Sequence, residues 1–157
     1  MEIKKCIMQS FSVIGKEGST NDGNNFVENL WVDANSHFDE VKALAKKDAN
    51  GNIVGIWGLM SDFSRTFKPW DNNFSEGLYL AGVQTDNNAT PPENWVKWTV
   101  PSFEYLYAKV EEDYNKTFNG VLQYMNENKL NLAGAVFDFN CPEENGQLYL
   151  FFPIKCL

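Results

Sequence analysis

The sequence predicts an α+β fold: duplicated β-α-β-β units forming one antiparallel sheet, with two helices and a central pseudo-twofold cleft. Three ordered echoes predict it. Gly58-Leu59-Met60-Ser61-Asp62-Phe63 returns as Gly134-Ala135-Val136-Phe137-Asp138-Phe139, and Leu78-Tyr79-Leu80 returns as Leu148-Tyr149-Leu150. Further upstream, Ser10-Phe11-Ser12-Val13-Ile14 returns as Ser102-Phe103-Glu104-Tyr105-Leu106. Self-similarity in a fixed order is the signature of duplication. The pseudo-repeats run over about 1–86 and 95–157 of a single 157-residue domain, with residues 87–94 as the linker. Across the axis this reading matches Asp62 with Asp138 and Tyr79 with Tyr149.

Each element has its own signal. Residues 2–16 alternate and then run apolar (Ile3, Cys6, Ile7, Phe11, Val13, Ile14), a strand broken near Gln9-Ser10. Asn25 and Glu28 form a capping-box pattern ahead of a helical stripe through Phe26, Leu30, Trp31, Ala34, Phe38, Val41 and Leu44. Ser36 and Asp39 suggest a second cap within it, and Gly51 ends it. Ile53 to Phe63 and Leu78 to Thr85 read as paired strands. Their connection, Ser64 to Gly77, is long and carries Phe67, Trp70 and Phe74, where a simple tether would be polar. After Pro91-Pro92, Trp95–Val100 and Phe103–Val110 repeat the broken strand. Period two puts Phe103, Tyr105 and Tyr107 on one face and Glu104 with Leu106 on the other. Asp113 starts a helix with Tyr114, Phe118, Val121, Leu122 and Met125 on one stripe. Leu132–Asn140 and Gln147–Lys155 close the second unit.

Composition narrows the function. The net charge is −8, from 13 basic and 21 acidic residues, and no basic run stands out. Nucleic-acid binding depends on neutralising phosphates, so direct binding is not expected; a cationic ligand suits the acidic balance better. No apolar run is long enough for a membrane span, and Met1-Glu2-Ile3-Lys4-Lys5 does not open a signal peptide, so a cytoplasmic location is expected. Three scattered cysteines fit neither a disulfide framework nor a zinc site. No metal and no cofactor is expected. Aromatic residues make up 15% of the chain, an excess that suits either a pocket for a flat apolar ligand or an aromatic core.

The candidate site residues follow from cost. Asp62 and Asp138 lie among apolar neighbours, and a carboxylate facing a dry cleft is expensive unless a partner arrives. Glu104, inside Phe-Glu-Tyr-Leu-Tyr, is a third acid. Trp70, between Pro69 and Asp71 in the long loop, is the tryptophan least explained by packing. Trp31 and Trp57 read first as core and, with Tyr105 and Met60, complete the candidate ligand-binding set. His37 is the sole histidine, with no serine motif beside it, so a catalytic triad is not expected. No catalytic residue is assigned.

Three stretches then carry a resemblance. Gly77-Leu78-Tyr79-Leu80-Ala81-Gly82-Val83, Trp98-Thr99-Val100-Pro101-Ser102-Phe103-Glu104-Tyr105 and Phe151-Phe152-Pro153-Ile154 resemble, in order, signature strands of the GyrI-like family. These are the effector-binding domains of AraC- and MerR-type multidrug-responsive regulators. The resemblance implies a groove for amphipathic, often cationic, drug-like molecules, with an acid on the penultimate strand. Phe137-Asp138-Phe139-Asn140 stands at that place, with a shorter acid than the family's Glu and without its Tyr. The family's second-helix Trp is replaced near Tyr124 and Met125. With no DNA-binding domain beside it, the chain resembles stand-alone members. The expected function is binding of amphipathic aromatic cations, for sensing or sequestration. The alternatives are a hydrolase of electrophilic toxins using the same cleft, and a protein-interaction inhibitor of the topoisomerase-binding kind.

Overall fold

The computed structural model describes residues 1–157. The alternating N-terminal run forms strands β1 (Ile3–Met8) and β2 (Phe11–Ser19), broken at Gln9-Ser10. Helix α1 (Phe26–Ser36), strand β3 (Ile56–Ser61), a short turn α2 (Asp71–Phe74) and strand β4 (Leu78–Thr85) complete the first unit. The second unit repeats the order with β5 (Val96–Val100), β6 (Phe103–Lys109), α3 (Tyr114–Glu127), β7 (Phe137–Cys141) and β8 (Gln147–Cys156).

Helix α1 is shorter than its apolar stripe. It stops at Ser36, and two 3-10 turns, Phe38–Glu40 and Lys42–Leu44, continue the path. Phe38, Val41 and Leu44 still pack with Ala34, because a spacing of three residues returns to the same side in the tighter helix. The expected Asn25–Glu28 capping box is not formed: Asn25 makes no side-chain cap bond, and Glu28 is exposed in the first turn. Ser36 and Asp39 make no cap either, since His37 occupies the N-cap of the following turn. Asp113 does cap α3, its carboxylate accepting the Asn115 backbone N–H at 2.9 Å.

All eight strands pair antiparallel in the order β1-β6-β8-β7-β3-β4-β2-β5. Exchanging the units (β1 with β5, β2 with β6, β3 with β7, β4 with β8) reads this order backwards. A pseudo-twofold axis therefore passes between β3 and β7. Each unit's first strand leaves for the far edge, so that β1 pairs with β6 and β5 with β2. Yet only Gln9-Ser10 joins β1 to β2, and only Pro101-Ser102 joins β5 to β6. A residue advances at most about 3.6 Å, so the two edges must be drawn together, and the sheet curls into a half-barrel. The crossovers meet, with the Ser10 N–H donating to Ser102 Oγ at 2.8 Å.

The inside of the curl holds the aromatic excess. Phe11, Trp57, Trp98, Phe103, Tyr105, Phe137 and Phe151 form one buried cluster there. Burial of a large apolar side chain contributes roughly 1.5–3 kcal/mol, so most of these rings stabilise the fold and are not available to a pocket. The alternate residues face outward, where α1 covers Ile14 and Val83 and α3 covers Leu106, Leu150 and Phe152. No helix is long and apolar enough to cross a membrane.

The strand registers decide which echoes are structural. The breaks at Gln9-Ser10 and Pro101-Ser102 set Phe11 equivalent to Phe103, as the upstream echo predicts, and the pairings of β1 with β6 and β2 with β5 agree. Carried through β2–β4, β6–β8, β3–β4 and β7–β8, they make Gly58 equivalent to Asp138 and Leu80 equivalent to Tyr149. The expected matches of Asp62 with Asp138 and Tyr79 with Tyr149 are therefore corrected. Asp62 lies beyond the end of β3, four residues past the true equivalent. Tyr79 and Tyr149 lie on opposite faces: Tyr79 packs under α1, while Tyr149 abuts the inner cluster. A one-residue slip in a strand reverses the face, which is how a convincing tripeptide echo misleads.

Candidate functional site

Gly58 and Asp138 are direct partners across β3 and β7, and because they are also each other's equivalents they mark the pseudo-axis. One position has a carboxylate and its counterpart has no side chain. A Cβ at Gly58 would overlap the Tyr79 hydroxyl. The absence of a side chain there lets Tyr79, on β4 opposite Met60, reach across the axis and donate its O–H to Asp138 Oδ2 at 2.8 Å. Tyr114, the first residue of α3, donates to Asp138 Oδ1 at 2.8 Å. Trp31 of α1 extends the chain of bonds, its indole N–H donating to Tyr79 Oη at 3.1 Å.

Asp138 is 8% exposed and belongs to none of the chain's five ion pairs. Burial pushes its pKa up to about 6, against the two tyrosine hydroxyls, which favour the charged form. Tyr79 and Tyr114 are held well above the usual phenol range, by burial first and by the Asp138 charge second. Both tyrosines therefore stay protonated donors.

Above this floor, between α1 and α3, lies a cleft of about 680 Å³ lined by Trp31, Ile56, Tyr79, Tyr114, Asp138 and Leu148, with Glu28, Asn35 and Asn140 adding polar groups. The volume falls within the range of small-molecule sites. The arrangement offers an anionic floor with aromatic walls, suited to holding a cation by charge and by ring faces together.

The other expected site residues are dispersed. Met60 shares the outer face with Gly58, and Trp70 with Phe74 lines a smaller side pocket whose wall Tyr114 also borders the cleft. Trp57 and Tyr105 do not reach the cleft. They sit in the inner cluster, Trp57 donating to Gln84 Oε1 at 3.0 Å, and the buried Tyr105 hydroxyl has no partner. Glu104 lies at a bulge between Ile7 and Lys155, away from the axis. Tyr79, Tyr114, Asn140 and Glu28 are among the lining residues that the sequence does not single out as site residues. For Tyr114 the available signal was its place right after a capping Asp, at the start of an amphipathic helix.

Asp62 has a different task from the one expected. Burial raises its pKa, but the Thr66 hydroxyl and N–H, Ser61 and the Lys68 N–H outweigh this and bring it down to about 2. The Thr66 hydroxyl donates at 2.6 Å and its N–H at 2.8 Å. Asp62 thus ties the root of the long loop. Asp62→Ala is expected to speed hydrogen exchange of the Thr66 and Lys68 amides while leaving the sheet amides protected; unchanged loop exchange would remove this role.

No family model and no curated protein matches the sequence. Solved structures do match over nearly the full chain. SAV2435 bound to tetraphenylphosphonium shares 15% identity, with a TM-score of 0.68 over 99% of this chain and 94% of that one. The EcmrR C-terminal domain shares 11% identity, with a TM-score of 0.62 over 99% and 98%. The EcmrR chain of a cryo-EM complex with DNA shares 9% identity, with a TM-score of 0.65 over 99% of this chain and 58% of that one. The chain therefore shares the α+β fold of these structures.

Proposed function

We propose that this chain binds amphipathic aromatic cations in the cleft above Asp138, as an effector sensor or a sequestering protein. The observation that carries the reading is a buried carboxylate on the floor of a cleft with no cation beside it. Burial without a partner costs stability, and an incoming cation removes that cost. The same fold in SAV2435 occurs bound to tetraphenylphosphonium, a ligand of this chemistry.

Trp31 lies in the wall, so binding is readable as a change in tryptophan emission. Titration with tetraphenylphosphonium at pH 7.5 is expected to saturate at one site, with the ligand recovered unchanged. Because the cation pairs with ionised Asp138, affinity is expected to be constant well above pH 6 and to fall up to tenfold per pH unit below it. A permanently charged ligand keeps its own titration out of the result. Saturable binding with no pH dependence between 5 and 7.5 would remove Asp138 from the site, and consumption of the ligand would favour the hydrolase alternative.

A further inference from the structure

On the other side of Tyr114, which lines both spaces, lies a side pocket of about 160 Å³ walled by Met60, Trp70, Phe74 and Phe118. The two spaces differ in chemistry. Glu28, Asn35 and Asn140 border the cleft, whereas the side pocket is mainly apolar, with Asn115 its one amide. The loop that builds it is strained. Arg65, Phe67, Asn72, Asn73 and Phe74 have φ of 57°, 60°, 53°, 58° and 64°. Asn tolerates the left-handed region, but a bulky aromatic residue there is a true outlier. Phe74 is held in place because the Trp70 indole N–H donates to the Leu78 carbonyl at 2.9 Å and the Ser75 hydroxyl donates to the Asn72 carbonyl at 2.6 Å. The result is Phe74 set edge-on to Phe118, with ring centroids 5.3 Å apart. Phe74 is only half-buried, so core packing does not account for the strain, and strained backbone concentrates at ligand clamps.

The scale of the pocket identifies what fits. An apolar cavity of about 150 Å³ takes a benzene, so this pocket suits one phenyl ring. Met60 on β3 and Val136, just ahead of β7, line it and lie two residues from Gly58 and Asp138, about 7 Å away in extended chain. We infer that the side pocket is an aryl subsite, and that the ligand is a cation with one aromatic ring on a linker of about three atoms and a polar remainder facing Asn35, Asn140 and Glu28. This rests on the cation reading of Asp138.

The test uses the whole chain and three probes: 3-phenylpropyltrimethylammonium, propyltrimethylammonium and neutral 3-phenylpropanol. The phenyl cation is expected to bind at least tenfold tighter than the propyl cation. Phe74→Ala should reduce that ratio below threefold while leaving the propyl cation unchanged, and Phe74→Leu, which retains apolar bulk and controls for folding, should keep most of it. Equal affinity of the two cations for the wild type, or a ratio indifferent to Phe74, would overturn the subsite and leave the cation reading standing. If phenylpropanol alone binds, and does so through Phe74, the subsite stands as an aryl pocket but the cationic ligand class is overturned.

Discussion

Asp138→Asn is expected to weaken a permanently charged aromatic cation by two orders of magnitude or more and to leave a neutral ligand of matching shape nearly unaffected. Breaking a buried charge pair costs about 3–5 kcal/mol, and about 1.4 kcal/mol is tenfold in affinity. The neutral ligand draws its affinity from ring contact, which the substitution preserves. The same change should stabilise the empty protein at alkaline pH. A carboxyl whose folded pKa is raised to about 6 holds its proton more tightly in the folded state. Its contribution to stability is therefore full below pH 4, is lost as pH rises through 6, and stays lost above. At pH 8 the deficit is about 3 kcal/mol, and Asn removes it. One tyrosine hydroxyl can still donate to the amide oxygen, while the other turns to accept from the amide nitrogen. Calorimetry on both ligands, with denaturant melts at pH 4 and pH 8, measures both effects. Equal losses for charged and neutral ligands would make Asp138 structural.

Gly58→Ala is the second large effect. Its Cβ would meet the Tyr79 hydroxyl and ring, and Tyr79, only 1% exposed, can yield only toward the cleft that it lines. Overpacking of this kind costs about 1–3 kcal/mol. The Tyr79 hydroxyl is expected to leave Asp138, which then loses one of its two donors. Its pKa should rise further, and the onset of cation binding should move to higher pH. Denaturant melts and a pH series of the titration measure these together. A variant as stable as the wild type, with an unmoved pH midpoint, would show that Tyr79 does not depend on the missing side chain.

Much of the fold is legible in the sequence because it rests on local period. The break at Gln9-Ser10, the strand Leu78–Thr85 and the cap at Asp113 all follow from residues within one turn or one strand. The length of α1 is less legible, since the change to 3-10 turns keeps the same apolar spacing. Repeated tripeptides carry no register and so misplace the axis: only cross-strand pairing shows that Gly58, not Asp62, is the counterpart of Asp138. For the same reason the site could be read only in part. The prominence of Asp138 comes from its own neighbours, but Tyr79 and Tyr114 meet it from β4 and α3, 59 and 24 residues away. Ring chemistry alone makes Trp57 and Tyr105 candidates, but their strand parity sends them to the inner face.

The exchanged edge strands also bear on how the site came to hold a single charge. Neither unit completes its own sheet: β1 belongs to the second unit's edge and β5 to the first's. A lone unit of this kind would be satisfied only by a second copy, as a swapped homodimer. In such a dimer the residue on the axis faces itself, so the site can hold two carboxylates or none. Two like charges on directly opposed strand positions are destabilising. Covalent fusion of the units frees the two positions to differ, and this chain uses that freedom at Gly58 and Asp138. The tandem chain can thus present one anion at the symmetry point, an asymmetry that a dimer of identical units cannot encode.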